Sequence, residues 1–344
     1  MIKDLSINFA VSERLSPVLE LAARVGRDPL LTQASTGNIS VKADEVLWIK
    51  ASGKWMADAA VGEFLIPLDL PEVRESIARG IDSTERYPRA SIETAMHVTL
   101  PHRVVLHVHS VNTIAWAVRE DAPARLKSQL EGLRWQWIPY VPSGLPLAGE
   151  IEKVLSHHPN VDLLVLGNHG LVLGADDCRA AEDLLHEVER RLAVRPREAH
   201  PADYALLAQV AENPSWELPD DDAIHALATD PASRMMLASG FLYPCQAIFS
   251  DASTPELFTA IPCSDVADRP PEHFDGRPFL IIEGRGVVLR GNITAAEKAM
   301  MSGLAQVIQR VHPAAALRYL TDAEVGASAG TAAYRYRELA NASH

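Results

Sequence analysis

Three histidines in two short motifs have the residue type and the spacing to bind a divalent metal ion. His107 and His109 end the apolar, β-branched run Val104–His109, which is typical of a central strand. Side chains two residues apart on a strand point to the same face, so both imidazoles would lie on one side of the sheet. His169 follows a second apolar run, in the motif Gly167–Gly170, whose glycines indicate tight backbone geometry.

Three neutral imidazoles would leave open coordination positions on a bound metal, as a catalytic site requires. Zn²⁺ is the usual occupant of such a site, and Co²⁺, Ni²⁺ or Mn²⁺ would accept the same ligands. Each motif also has a simpler interpretation. The pair of His107 and His109 could be a packing feature, and His169 could be an exposed residue of a β-turn.

Glu93 is the candidate acid or base. It precedes His97 by four residues in a helix predicted over residues 91–100, which would place both side chains on one face. Alternatively, a carboxylate in a first helical turn only complements the helix dipole. Two turns, Ser35–Asn38 and Lys50–Lys54, offer hydroxyls, backbone amides and lysines of the kind that bind phosphates or carboxylates, although each could be an ordinary hairpin turn.

The composition argues against several classes of protein. With 45 acidic and 32 basic residues, the net charge of -13 disfavours nucleic acid or an anionic membrane as the main partner. No apolar run is long enough to span a membrane, and the N-terminus carries Asp4 and Glu13, unlike a signal peptide. The three cysteines are scattered, which suits a reducing compartment, so we expect a cytoplasmic protein.

The chain length of 344 residues favours two domains, with three as the alternative. The proline-rich, charged segment 194–201 predicts the boundary between them, with one domain at residues 1–200 and a smaller α/β domain at 201–344. Within the second domain, a helix is predicted over residues 215–238, a strand over 241–249 and a loop over 264–278.

A pattern in the first domain recurs in the second. The segment Leu163–Leu173 resembles Phe279–Leu289, which lies 116 residues further along, and a predicted helix follows each of them. In this alignment His169 corresponds to Arg285. We interpret the pattern as a degenerate half-repeat that keeps a β-turn-β-helix scaffold and has lost the metal ligand. The alternative is that two unrelated α/β units share an apolar pattern.

Five motifs together resemble the class II aldolase/adducin family, in that family's order and spacing over residues 11–195. They are STGNIS at residues 35–40, KASGK at 50–54, SIETAMH at 91–97, HVHS at 107–110 and GNHG at 167–170. The resemblance implies a three-layer α/β/α fold with a mostly antiparallel central sheet, often assembled as a homo-oligomer, with a tetramer favoured. The C-terminal part resembles the extension of two-part rhamnulose-phosphate aldolase/dehydrogenase proteins, although Gly284-Arg285-Gly286 is not a dinucleotide-binding fingerprint.

The resemblance also implies roles for individual residues. His107, His109 and His169 would bind the metal, and Glu93 would be the catalytic acid/base. The pocket for a phosphate or another anionic group of the substrate would be lined by Gly37, Asn38, Ser52, Gly53 and Ser91. Ile92 stands where sugar-phosphate aldolases of the family have a second serine, and Lys50 or Lys54 could supply a cation instead.

The predicted function is a divalent-metal-dependent aldolase, a carbon–carbon lyase that acts on a ketose phosphate or sugar-acid derivative through a metal-stabilised enediolate. The same enediolate would serve a dehydratase, an epimerase or a decarboxylase of the same superfamily. A hypothesis from another class is a non-catalytic metal-containing scaffold or binding protein.

Overall fold

The computed structural model describes residues 5–249, 258–264, 277–328 and 331–342. The strands are β1 Asn38–Ala43, β2 Val46–Lys50, β3 Leu65–Asp69, β4 Val104–Val108, β5 Trp135–Ile138, β6 Leu163–Leu166, β7 Gly170–Ala175, β8 Trp216–Glu217, β9 Phe279–Ile282 and β10 Gly286–Arg290. The first eight α-helices are α1 Leu5–Gly26, α2 Leu70–Ala78, α3 Ser83–Arg86, α4 Thr94–Thr99, α5 Val111–Ala117, α6 Ala122–Gln129, α7 Leu145–His157 and α8 Cys178–Leu192. The remaining described α-helices are α9 Tyr204–Val210, α10 Ala226–Thr229, α11 Pro231–Ala238, α12 Pro244–Phe249, α13 Ala295–Arg310, α14 Asp322–Ser328 and α15 Thr331–Asn341.

Seven strands form a central sheet in the order β3-β2-β1-β4-β7-β6-β5. Every neighbouring pair is antiparallel except β5 and β6, which are parallel. The prediction of a mostly antiparallel sheet is therefore confirmed.

Helices cover both faces of this sheet because its central strands are apolar on both sides. Leu106 of β4 packs in a cluster with Leu21 of α1 and Leu185 of α8. The preceding residue, Val105, points to the opposite face and packs in a cluster with Met96 of α4 and Leu147 of α7. The three layers of the predicted α/β/α fold are thus present.

The C-terminal region, residues 201–342, contains a second sheet in the order β8-β10-β9. Its longest described helix, α13, begins with a capping box between Thr294 and Glu297. Apolar residues of α13, among them Leu304 and Ile308, pack in one cluster with Ile114 of α5. The C-terminal region therefore shares a hydrophobic core with the helical layer of the central sheet.

The two hairpins of the predicted half-repeat have the same register. The residue before each three-residue turn pairs with the glycine after it, Leu166 with Gly170 in one hairpin and Ile282 with Gly286 in the other. A long helix follows each hairpin, α8 in the first case and α13 in the second.

Several predicted elements were wrong. Residues 244–249 form helix α12 and not a strand, because Pro244 starts the helix and the apolar run lacks the alternation of a half-buried strand. The helix predicted over 215–238 is divided into β8, a 3₁₀ turn over Asp222–His225, α10 and α11, with a break at Asp230 before Pro231.

Two further differences concern the N-terminal half. Helix α4 begins at Thr94 and not at Ser91, because the Ser91 hydroxyl accepts the amide hydrogen of Glu93 and forms a turn before the helix. Strand β3 was not among the predicted elements. Of the loop predicted at residues 264–278, residues 265–276 lie outside the described residues. Within the described part of the chain, no helix is long and apolar enough to cross a membrane.

Candidate metal centre

The three predicted histidines converge from the end of β4 and from the turn between β6 and β7. The ring centroids of His107, His109 and His169 lie 4.9, 4.9 and 5.0 Å from one another. The Nε2 atoms of His107 and His109 are 3.0 Å apart. All three side chains are buried, so the fold brings the residues of two distant motifs into one compact cluster.

Backbone contacts fix the position of His107. Its Nδ1 atom donates to the carbonyl oxygen of Leu171 on β7 at 2.9 Å, which leaves the Nε2 lone pair facing His109. On the other side, Asn38 of β1 pairs with His107 across the sheet. The preceding residue, Gly37, has a φ of 70°, and a Cβ atom there would lie 2.8 Å from the carbonyl oxygen of His107. Only glycine fits both demands.

Glu93 lies beside two of the three imidazoles. Its carboxylate oxygens are 3.3 Å from Nε2 of His107 and 3.2 Å from Nε2 of His169. Asn38 Nδ2 donates to the carboxylate at 2.7 Å and Ser143 Oγ at 3.1 Å. Burial acts to raise the pKa of Glu93, but the positive charge that His107 gains at low pH and the hydrogen bond from His169 outweigh it and hold the pKa well below 4.5.

A chain of buried hydrogen bonds continues behind Glu93. Because Asn38 donates its amide to Glu93, its Oδ1 atom accepts from Nε2 of His97. Nδ1 of His97 then accepts from the hydroxyl of Ser40 at 2.7 Å. Burial lowers the pKa of His97 to about 3, so the ring is neutral. Sequence reasoning placed His97 near Glu93 but not in the site. The link runs through Asn38 and cannot be inferred from helical spacing.

A cavity of about 60 Å³ opens beside the histidines and Glu93. Of the residues expected to bind substrate, four line it: Gly37, Asn38, Ser52 and Ser91. Lys50 also lines the cavity, is buried and donates to the carbonyl oxygen of Ser35 at 2.9 Å. Burial lowers the pKa of Lys50 to about 7, against an opposing effect of Glu93. The alternative cation, Lys54, is exposed.

The opposite wall of the cavity comes from the C-terminal region, which sequence reasoning missed. Cys245 and Ile248 of α12 and Tyr336 of α15 line it. Helix α15 also covers Gly53, because a Cβ atom on Gly53 would lie 2.5 Å from Cβ of Leu339. Gly53 therefore contacts this helix and is not among the residues that line the cavity.

The donor set fits a divalent metal. Burial lowers the pKa of His107 to about 4 and that of His109 well below 6.5, so both rings are neutral at physiological pH. Two metal–nitrogen bonds of about 2.0–2.1 Å at a tetrahedral angle separate the nitrogens by roughly 3.3 Å. The 3.0 Å between the two Nε2 atoms is close to this separation.

The fold and the site define an α/β protein with a buried three-histidine cluster that could hold a metal ion. A family model described as the Class II Aldolase and Adducin N-terminal domain matches residues 18–195, slightly more than half of the chain. The chain belongs to this family. The match ends at residue 195, so the resemblance of the C-terminal part stays an expectation.

Individual relatives are more distant. The uncharacterized oxidoreductase YuxG from Bacillus subtilis (strain 168) is 29% identical over 172 residues, which cover 43% of this chain and 24% of YuxG. The N-terminal class II aldolase domain of a conserved protein from Thermoplasma acidophilum covers 51% of this chain and 90% of its own, at 22% identity and a TM-score of 0.45. The L-fuculose-1-phosphate aldolase from Thermus thermophilus covers 51% and 92%, at 18% identity and a TM-score of 0.37.

Proposed function

We propose that the protein is a divalent-metal-dependent aldolase that cleaves a carbon–carbon bond in a ketose phosphate or sugar-acid derivative. The observation that carries this proposal is the position of Glu93. A carboxylate with a depressed pKa lies within 3.3 Å of two clustered, metal-competent imidazoles at the wall of a cavity.

In this proposal His107, His109 and His169 hold the metal, and Zn²⁺ is the occupant that three imidazoles favour. The bound ion supplies Lewis-acid stabilisation of the negative charge that develops as the bond breaks. Glu93, ionised at physiological pH, takes up or returns the proton at the reacting carbon. Its hydrogen bonds to Asn38 and Ser143 hold the carboxylate oriented toward the cavity.

The polar wall of the cavity is suited to an anionic group of the substrate. Below about pH 7 Lys50 supplies a buried positive charge, and Ser52 and Ser91 supply hydroxyls. The backbone at Gly37 and the amide of Asn38 complete this wall. Because the protein as a whole is acidic, the local cation of Lys50 is what attracts an anionic ligand to this point.

The test is a screen of the zinc-loaded protein against ketose phosphates and sugar acids, with a coupled assay for the released aldehyde. Aldehyde release supports cleavage. Turnover without an aldehyde would instead favour the dehydratase, epimerase or decarboxylase chemistry of the same superfamily. Metal binding without turnover on any of these compounds would favour a binding protein.

Glu93→Gln separates the acid/base role from a structural one. The substitution keeps the volume and an acceptor for Asn38 but removes the carboxylate. We expect kcat to fall about 10²- to 10⁴-fold while one metal ion per chain is retained. The matched control is Ser143→Ala, which removes one hydrogen bond to the same carboxylate and should cost only about tenfold. Glu93→Gln with unaltered kcat would remove Glu93 from the mechanism.

We also infer that the chain divides near residue 200 and that the C-terminal domain contains a degenerate half-repeat. The equal register of the two hairpins supports this inference, as does the residue at the centre of each turn. Asn168 and Gly284, which correspond in the alignment, both have positive φ angles, 51° and 67°. Superposition of experimentally determined coordinates for residues 163–192 and 279–310 would test it, and a different helix placement would contradict it.

A further inference from the structure

The C-terminal region contacts the candidate metal centre at two separate points. We propose that Cys245 and Asn168 are positioning residues, through which the C-terminal region sets the affinity of the three-histidine cluster for its metal. This inference rests on the proposed metal-binding role of His107, His109 and His169. It adds that two of these ligands depend on a part of the chain outside the residues matched by the family model.

The first point of contact is at His109. Its Nε2 atom faces His107, and its Nδ1 atom lies 3.5 Å from Sγ of Cys245 in α12. For Nε2 to offer a lone pair to a metal, Nδ1 must carry the ring hydrogen, and that hydrogen needs an acceptor. Both side chains are buried, and the sulfur of Cys245 is the partner that the structure provides. Cys245 thereby fixes both the tautomer and the orientation of His109.

The second point of contact is at the turn that carries His169. Asn168 precedes His169 and has a φ of 51°. Its side chain points toward the C-terminal region. Nδ2 of Asn168 donates to the carbonyl oxygens of Leu242 at 2.9 Å and Arg318 at 2.7 Å. Arg318 donates back to Oδ1 at 3.3 Å. Three hydrogen bonds therefore hold the turn.

The two contacts converge on one short segment of the C-terminal region, since Leu242 and Cys245 are three residues apart. A displacement of this segment would remove both the acceptor for His109 and one of the two carbonyl acceptors for Asn168. By linkage, if docking of the segment strengthens metal binding, then metal binding must strengthen docking of the segment to the same extent.

The first test measures the affinity for Co²⁺ by competition with a chromophoric chelator, together with the visible absorption band of the bound ion. Cys245→Ala and Asn168→Gly should each weaken binding about 10- to 100-fold, as loss of a partner behind a metal ligand does. Cys245→Ser, which keeps an acceptor, should stay within about threefold of the wild type.

Each variant has a matched control. Asn168→Gly is compared with Asp44→Gly, because Asp44 also has a positive φ, 56°, but is exposed and far from the cluster in sequence. Cys245→Ala is compared with Cys178→Ala, because Cys178 is also a free cysteine but lies in α8 and is not among the residues that line the cavity. Both controls should bind Co²⁺ like the wild type. Equal affinities in all five variants would overturn the proposal.

A second measurement uses the wild-type protein and does not depend on any variant folding correctly. Hydrogen exchange of the amides in residues 242–249 and 316–320 should slow when Zn²⁺ is added to the metal-free protein. Unchanged exchange in both segments, with zinc bound, would refute the linkage. If the wild type binds no metal at all, the proposed function fails first, and the two failures are thus distinguishable.

Discussion

His97 offers a test of the buried hydrogen-bond chain that needs no substrate. We choose His97→Gln because the glutamine amide can donate to Asn38 and accept from Ser40, as the neutral imidazole does. Unlike the imidazole, the amide cannot be protonated in the accessible pH range. The variant therefore keeps the hydrogen bonds and removes one titrating group.

The magnitude follows from the pKa of His97 in the two states. Burial lowers it to about 3 in the folded protein, against 6.5 for an ordinary histidine. In the unfolded chain His97 binds a proton below pH 6.5, whereas in the folded protein it does so only below about pH 3. The free energy of unfolding therefore falls as the pH drops through this range. From pH 8 to pH 5, His97 alone should remove about 2 kcal/mol from the free energy of unfolding. That is a considerable part of a typical stability of about 5–15 kcal/mol.

Urea unfolding of the metal-free protein, followed by the fluorescence of its six tryptophans, measures this loss. At pH 8 the histidine is neutral in both states, so any difference between wild type and variant there reports only packing and hydrogen bonding. Between pH 8 and pH 5 the wild type should lose about 2 kcal/mol more than His97→Gln. Equal losses in the two proteins would refute the account of His97 as a buried neutral ring.

Two other substitutions test the two walls of the cavity. Gly53→Ala should destabilise the protein by about 1–3 kcal/mol more than Gly62→Ala. Both glycines have a positive φ, but only a methyl group at position 53 would clash with Leu339. Equal urea midpoints for the two variants would show that α15 does not pack on this turn. Lys50→Met should abolish the pH dependence of sulfate binding, which in the wild type should weaken as the pH rises through about 7 and Nζ loses its proton. Sulfate keeps its charge over this range, so equal wild-type affinities at pH 6 and pH 8 would contradict the role of Lys50.

The residues whose position depends on local geometry were predictable from the sequence. The alternation of a strand places His107 and His109 on one side, and a glycine-bounded turn presents His169. The antiparallel sheet, in contrast, was expected from the family resemblance and not from any single motif. Both expectations agree with the structure because the motifs lie at the end of β4 and in the turn between β6 and β7, where the register of the central sheet fixes the direction of each side chain.

Contacts between distant parts of the chain could not be predicted in the same way. Cys245 is 136 residues from His109 along the chain. Its segment was predicted as a strand, which would not have brought Cys245 and Ile248 to one wall of the cavity. Gly53 was predicted to line the substrate pocket but contacts α15 instead, and the reason is again a contact between distant parts of the chain. The glycine predicts a turn, but only the packed structure shows that Leu339 occupies the space that a side chain at position 53 would need.

The electrostatics of the site explain why so many of its polar groups are buried. A metal binds neutral imidazoles, so a cluster with ordinary histidine pKa values would have to release protons below about pH 6.5 before binding. Burial lowers the pKa of His107 to about 4 and that of His109 well below 6.5, and Glu93 is already ionised. Folding, and not metal binding, therefore supplies the free energy that keeps His107 and His109 deprotonated. We conclude that neither His107 nor His109 should release a proton when the metal binds at pH 6, and a release of two or more protons per metal ion at that pH would contradict this reasoning.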